Sequence, residues 1–528
     1  MTNPFTAFAF PASGSNQVNR TMPARLADFS DVKNFGALGD GTGAALSTLY
    51  GSLAAAQAVY PFVTSLTQSI DWAAVTAAMN NNSVFLTTTA TSSGSVLTFA
   101  GGVPATIVVG MGAYDFTTAG ATGPAVLSKT ATTVTLNSSL SVTSGDLIQF
   151  YSNSRGTIYF PPGNYVVSQP IDFSLGNLSA VFLGELGAST VTGNFADYVF
   201  KQTAAFSPNN VFDKLNVINT NATGGGIRIG GTQPGAVRNC TVTANQGIST
   251  FFLDTPSYDG SFDMSIENCT LSPGSNYSGS IGILLTACGP VINCSMIGYA
   301  TGMITAANEE NQNILGCYFE GCGVGFHPGQ GPDGGASTSG FTMSGCWFKN
   351  NGIAIENTSS GLARITGCRI EGANGQAPGG LNCQYGIQDG SPPSNPSGLR
   401  HSLIAGVTVT GQYDVAGIAQ WSNGSPVDTT YAGVQCTNSS LTGGAKVWSL
   451  NFVGANKYFP QFIACSGTGL PYISTVANLP AAQNIGDTYN VSDGTNGLAW
   501  GATVTNTGTH ATHYKTRWNG SNYTVVGK

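Results

Sequence analysis

Charge is what this sequence has least of. Only 8% of its 528 residues are Asp, Glu, Lys or Arg, against about 25% in an ordinary soluble protein. Lys and Arg number 18 and Asp and Glu 25, a net charge of -7. Tracking phosphates takes clustered basic residues, so nucleic acid is not expected as a partner. On the same ground an anionic membrane surface is not expected. Long apolar runs are missing too. The uncharged stretch from Trp72 to Tyr114 is interrupted throughout by Thr, Ser, Asn, Gly and Pro, so no membrane insertion is expected. Met1–Arg20 has no basic end followed by an apolar run, so no secretory signal is expected. The 11 cysteines then read as reduced core thiols in a chain made in the cytoplasm. There is no Walker loop, dinucleotide fingerprint, HExxH or nucleophile elbow, which removes the common nucleotide, redox and zinc-hydrolase chemistries.

Glycine is abundant instead, at 71 residues, about twice its ordinary share. Hydrophobic residues at 41% and aromatics at 10% are enough to build a core. The length corresponds to three or four ordinary domains at about 150 residues each, unless the chain grows along one axis as a repeat. A repeat is present. Asn239-Cys240-Thr241-Val242 recurs at Asn268-Cys269, Asn293-Cys294, Gly316-Cys317, Gly345-Cys346 and Gly367-Cys368, with Cys-to-Cys steps of 29, 25, 23, 29 and 22 residues. Between them lies a Gly-apolar pair, as at Gly226-Ile227, Gly282-Ile283, Gly302-Met303, Gly325-Phe326, Gly352-Ile353 and Gly386-Ile387. Two or three short alternating strands per repeat cannot bury their apolar face alone. Stacked at about 4.8 Å per coil they can, as a parallel β-helix with cysteine as an inward ladder. A metal array is disfavoured, because the cysteines are single and lack CxxC or nearby His partners.

Two upstream segments carry a resemblance. Val32-Lys33-Asn34-Phe35-Gly36-Ala37-Leu38-Gly39-Asp40-Gly41 precedes a segment with Asp71, Trp72, Val75 and Met79 at helical spacing and an acidic N-terminal end. Gly156-Thr157-Ile158-Tyr159-Phe160-Pro161-Pro162-Gly163-Asn164-Tyr165 follows. Together they resemble the opening of the pectate-lyase-superfamily right-handed parallel β-helix, of the phage tailspike and polysaccharide depolymerase type. Arg25-Leu26-Ala27-Asp28 is similar to the lead-in of phage tail proteins. Thr42-Gly43-Ala44 stands where that pattern has an acidic pair, and residues 83–153 are additional. The resemblance implies an all-β solenoid, a polysaccharide substrate, a homotrimer, and a place in a phage virion tail or outside the cell. The expected organisation is an N-terminal arm (1–30), an opening strand and capping helix (31–82), an inserted β module (83–153), the β-helix (154–465) and a small C-terminal β domain (466–528) for assembly or receptor contact.

Alignment of the coils on cysteine places candidate chemistry. The third residue after each Cys points outward, giving Thr243, Ser272, Ile297, Glu320, Lys349 and Glu371. Glu320 and Glu371 are then two coils apart, about 9.6 Å, near the separation of about 6.5–9.5 Å at which inverting glycosidases hold their carboxyl groups. The bland alternative is a Glu–Lys–Glu ladder relieving like charge. The residue right after each Cys gives Thr241, Thr270, Ser295, Tyr318, Trp347 and Arg369, and an exposed Tyr–Trp–Arg stack suits a sugar ring. Loops leaving the Gly-apolar strands are expected to carry Glu309, Glu310, Asp333 and Glu356 to one corner, with His327 beside them. Calcium would be the competing use of such a corner. No DxDxDG-type run is present, and no metal or cofactor is expected. The candidate catalytic acids are Glu309, Glu310, Glu320, Asp333 and Glu371, and the candidate sugar contacts are Tyr318, His327, Trp347, Lys349, Glu356 and Arg369. Hydrolysis is favoured over elimination from a uronic acid, because elimination needs cations on the substrate carboxylate and, apart from Arg228, Arg238, Arg364 and Arg369, the chain has few. A non-catalytic structural or receptor-binding tail protein is the third reading, since a β-helix makes a stiff rod without chemistry.

Overall fold

The computed structural model describes residues 29–81, 83–117, 123–151, 156–173, 180–202, 210–229, 235–250, 264–274, 277–285, 289–305, 312–328, 340–357, 363–373, 375–377, 382–389, 402–423, 429–438, 446–453, 461–463, 465, 488–494, 503, 512–518 and 523–527. The chain divides into two compact units, Met1–Ala306 and Ala307–Lys528. The expected N-terminal arm and the residues Glu309, Glu310 and Asp333 lie outside the described residues, apart from Phe29 and Ser30.

Each unit is built from coils of three short strands, and each strand pairs in parallel with its counterpart one coil away. In the first unit, sheet one includes Thr157–Tyr159, Val181–Leu183, Val211–Asp213 and Gly235–Arg238. Sheet two includes Gly163–Val166, Ser189–Gly193, Asn216–Asn219 and Thr241–Thr243. Sheet three includes Tyr198–Lys201, Gly225–Arg228, Gln246–Ser249 and Ile281–Leu285. The second unit repeats the plan, with Gln312–Leu315 and Phe341–Ser344 in sheet one, Tyr318–Glu320, Trp347–Lys349 and Arg369–Gly372 in sheet two, and Val324–Pro328, Ile353–Asn357 and Tyr385–Asp389 in sheet three. Parallel neighbours joined by crossovers take the right-handed course, so the fold is a right-handed parallel β-helix.

The repeat motif has a backbone cause. The residue before each ladder cysteine turns the corner from sheet one to sheet two with left-handed φ: 54° at Asn239, 53° at Asn268, 52° at Asn293, 61° at Gly316, 63° at Gly345 and 59° at Gly367. Only Gly, and Asn to a lesser degree, enters that region cheaply. The asparagine amides also bridge coils, Asn268 Nδ2 to Asn239 Oδ1 and Asn293 Nδ2 to Asn268 Oδ1, both at 3.4 Å. The next residue turns inward, and Cys240, Cys269, Cys294, Cys317, Cys346 and Cys368 are all buried as free thiols. The Cys269 thiol beside Cys240, and then burial, push the Cys240 thiol well above its ordinary range. The ladder is packing material, not a nucleophile. In the Gly-apolar motif the glycine is a matter of close approach: a Cβ on Gly325 would meet the Ala354 carbonyl oxygen at 2.5 Å.

Inward positions stack like on like. Phe182 and Phe212 lie parallel with centroids 4.6 Å apart, flanked by Phe173 and Phe200, with Phe160 packed on Phe200. Phe319 and Phe348 do the same at 4.5 Å in the second unit. Burying each such side chain contributes roughly 1.5–3 kcal/mol. Deeper in the second unit, the inward rungs Asn357, Asp389 and Gln420 are polar and fully buried. Asp389 accepts from Asn357 Nδ2 at 2.9 Å and Gln420 Nε2 at 2.8 Å, as a carboxylate without solvent requires.

The first coil is closed by a helix, Ile70–Met79, capped by Ser69 Oγ on the Trp72 N–H. Nine of its ten residues are buried, so it is packed on all sides. The Asp71 carboxylate accepts from the backbone N–H groups of Leu38 at 2.7 Å, Gly39 at 3.1 Å and Val166 at 2.8 Å. It therefore locks the Gly-rich opening and the first sheet-two strand onto the helix. Asp71→Asn would turn one of these acceptors into a donor facing an N–H, and is expected to lower stability by about 2 kcal/mol in chemical denaturation. Between the helix and the first full coil, six strands form two antiparallel sheets. One is Ser83–Thr87, Leu147–Tyr151 and Gly112–Asp115. The other is Val96–Thr98, Thr133–Leu136 and Val126–Lys129. They enclose their own core, including Leu97, Phe99, Ile148 and Phe150. Thr488–Gly494, Thr512–Trp518 and Tyr523–Gly527 form a further antiparallel sheet. Among the described residues no helix is long and apolar enough to cross a membrane.

Candidate functional site

The outer face of sheet two in the second unit gathers six of the residues singled out in the sequence. Strand register sets Tyr318 beside Trp347 and Trp347 beside Arg369, and in the same way Glu320 beside Lys349 and Lys349 beside Glu371. Between the two columns, Phe319, Phe348 and Ile370 point inward and are fully buried, which fixes the others outward. The Tyr318 and Trp347 rings are 5.0 Å apart and tilted by 55°. The Arg369 guanidinium lies over the Trp347 ring at 5.2 Å, within cation–π range. The indole N–H donates to Glu371 Oε2 at 3.2 Å, and the Arg369 guanidinium donates to Glu371 Oε1. Trp347 remains 38% exposed. The result is a firm aromatic surface edged by polar groups whose own geometry is already set.

Glu320 and Lys349 form the second half of this ladder, with Nζ to Oε1 at 2.8 Å. The Lys349 hydrogen bond holds the Glu320 carboxyl below its usual range, aided by the Tyr318 hydroxyl. Burial, followed by the hydrogen bond to Glu320, pushes the Tyr318 phenol up. Glu320 is thus a settled carboxylate that can accept a proton or a hydroxyl hydrogen bond but is poorly suited to give a proton. Glu371 likewise accepts from a cation.

His327 and Glu356 are brought together on the outer face of sheet three. Glu356 is not in a loop, as its spacing had implied. It sits in the strand Ile353–Asn357, because the inward Ile355 continues the column of Phe326 and Ile387 and carries the strand past Glu356. His327 Nδ1 is 3.6 Å from Glu356 Oε2, and their side chains are only 9% and 19% exposed. Gln388 lies in register with Glu356 on the next rung. Burial drives both shifts, pushing His327 down to about 4 and Glu356 up from its ordinary value. Gln388 was overlooked in the sequence, although the residue after each Gly-apolar pair would have pointed to it. Of the other arginines considered for uronate binding, Arg228 and Arg238 belong to the first unit, where Arg228 is buried and Arg238 pairs with Asp213 at 3.3 Å. Arg364 lies on sheet one. Among the described residues no group of three His, Cys, Asp or Glu could hold a metal ion.

The opposite shifts of this pair predict a pH signature in stability. His327 titrates lower in the native state than unfolded, so its contribution is complete above about pH 6.5 and is lost as the pH falls toward 4. Glu356 has the reverse sign: its raised native pKa returns stability as the pH falls through it toward the ordinary carboxylate value. In Glu356→Gln only the histidine term is left. Its melting temperature is therefore expected to fall more than the wild type's between pH 6.5 and 4, and that of His327→Gln less.

No protein-family pattern and no curated protein matches the chain. Several solved structures are similar to it. The A-module of mannuronan C-5 epimerase AlgE6 from Azotobacter vinelandii aligns with 12% identity over 83% of this chain and 99% of its own, at a TM-score of 0.42. The tailspike protein gp49 of Pseudomonas phage LKA1 aligns with 14% identity over 90% and 88%, at 0.34. The catalytic unit of a GH87 alpha-1,3-glucanase from Streptomyces thermodiastaticus aligns with 11% identity over 73% and 89%, also at 0.34. The coil-by-coil register of its three parallel sheets makes this chain a right-handed parallel β-helix protein.

Proposed function

We propose that this chain is a tailspike-like enzyme that binds a polysaccharide on the outer face of its β-helix and hydrolyses its glycosidic bonds, working as a homotrimer in a phage tail. The observation that carries this reading is the Tyr318–Trp347–Arg369 surface edged by Glu320, Lys349 and Glu371. A sugar ring packs its apolar face on an aromatic, and its hydroxyls find carboxylates and cations alongside. Hydrolysis is preferred to elimination because Lys349 and Arg369 already serve Glu320 and Glu371. A uronate carboxylate would have to displace those partners before its α-proton became acidic enough to remove.

The test is incubation with a broad panel of capsular polysaccharides and exopolysaccharides, following new reducing ends and the ultraviolet absorbance of unsaturated ends. Reducing ends without that absorbance support hydrolysis. Both signals together mean a lyase. The pairing of each sheet-two carboxylate with a cation also favours a second reading, a receptor-binding protein that holds sugar without turning it over. Saturable binding with neither signal across the panel supports that one.

A further inference from the structure

Cleaving a glycosidic bond by hydrolysis requires a proton at the departing oxygen. The sheet-two ladder is a poor source, since Lys349 keeps Glu320 ionised. Sheet three offers a better one on the same coils. Strand alternation turns His327 and Glu356 outward on adjacent rungs, because Phe326 and Ile355 before them fill the interior and are fully buried. The two coils that carry His327 and Glu356 pass from sheet two to sheet three through turns of three residues, 321–323 between Glu320 and Val324 and 350–352 between Lys349 and Ile353, so an extended polymer can touch both faces there.

We propose that Glu356 is the proton donor of the reaction, flanked by His327 on one rung and Gln388 on the next; this deepens the hydrolytic reading above and rests on it. In the step, the glycosidic C–O bond breaks and the Glu356 carboxyl proton passes to the departing oxygen. The oxygen of a water molecule bonds to the anomeric carbon, and the surplus proton of that water leaves to solvent. Glu356 then takes a proton back from solvent. Three observations support the assignment. The Glu356 side chain is mostly buried yet 19% exposed, so its carboxyl is both desolvated and reachable. Among the described residues, the groups facing it from the adjoining strands are His327 and Gln388, and neither is charged near neutral pH. Burial raises Glu356 without an opposing cation, the direction that favours donation of its proton. His327 acts as a positioning residue, occupying the space that water would otherwise take beside the carboxyl.

The experiment uses the full chain and a polysaccharide that the wild type cleaves in the panel. Glu356→Gln is expected to lower kcat about 10²–10⁴-fold, the usual contribution of a general acid, with KM nearly unchanged. Glu356→Asp should recover part of the loss. The alkaline limb of the wild-type pH profile should vanish in Glu356→Gln and move to lower pH in His327→Ala, which admits water. Independently of turnover, the infrared C=O stretch of a protonated carboxyl near neutral pH should be present in the wild type and absent from Glu356→Gln. Glu356→Gln that keeps kcat within about threefold, or loses activity only through KM, overturns the assignment and leaves hydrolysis standing. Should Glu356→Gln fail to fold, an unchanged alkaline limb in Glu356→Asp overturns it equally. A wild type that cleaves nothing in the panel removes the hydrolytic reading and the assignment with it, and this is a different outcome from the others.

Discussion

Phe348→Ala is expected to lower the unfolding free energy of the second unit by about 3–5 kcal/mol, the range for deleting a fully buried aromatic ring. Phe348 has no exposed surface, and it lies face to face with Phe319, centroids 4.5 Å apart and planes within 3°. Nothing slides in to fill such a gap, because the coil spacing on either side is fixed by the sheet ladder. The substitution also reaches the outer face. Trp347 and Lys349 flank Phe348 in one three-residue strand, and their outward direction depends on the ring between them being anchored inside. Sugar binding should therefore fall together with stability in Phe348→Ala. Phe348→Leu, which keeps most of the volume, is expected to cost less than about 2 kcal/mol and to retain binding. Urea unfolding of the three proteins gives the first comparison, and titration with a polysaccharide that the wild type binds gives the second. A loss under 1 kcal/mol in Phe348→Ala would mean that the inward stack contributes little and that the outer ladder is held by the hydrogen-bonded backbone alone.

The solenoid was legible because its coil is written twice, once as Asn/Gly-Cys and once as Gly-apolar, and because stacking turns a repeat in number into a column in space. That is why Tyr318, Trp347 and Arg369, spaced 29 and 22 residues apart in sequence, could be placed on one wall. The αL corner at Asn239 and Gly316 was not legible, because nothing in a single sequence separates a glycine needed for φ from one needed for space. Glu356 was misplaced for a related reason. Its position just after a Gly-apolar pair suggested a loop, while the register of Ile355 with Phe326 keeps the strand running beyond it. Its closeness to His327 follows from that same register and could have been found by extending the column one residue past each apolar position. The buried set Asn357, Asp389 and Gln420 gave no warning at all, since polar residues inside a solenoid read as polar residues outside it. The Asp71 clamp was seen only as a helix-end charge, because its partners at Leu38, Gly39 and Val166 are remote in number and are backbone groups.

Trp347→Ala should weaken polysaccharide binding by about 2–3 kcal/mol, or roughly 30–150-fold, the scale of a tryptophan at the centre of a recognition surface. Three terms are removed at once. The sugar loses the ring face on which it packs. Arg369 loses the ring beneath its guanidinium, and Glu371 loses the indole N–H at 3.2 Å, so both polar neighbours gain freedom that a ligand must then take away again. Stability should change little, because Trp347 is 38% exposed and the interior beneath it belongs to Phe348. Trp347→Phe separates the terms: it keeps a ring face and gives up only the hydrogen bond to Glu371, so a loss of about fivefold or less is expected. Tyr318→Phe should be smaller still, since the ring remains. The order Ala, then Phe at 347, then Phe at 318, measured by calorimetric titration with the same polysaccharide, is what a sugar platform requires. Equal binding by all three variants would mean that the ring cluster is an ordinary surface feature, and sheet two could then no longer be regarded as the place where the polymer lies.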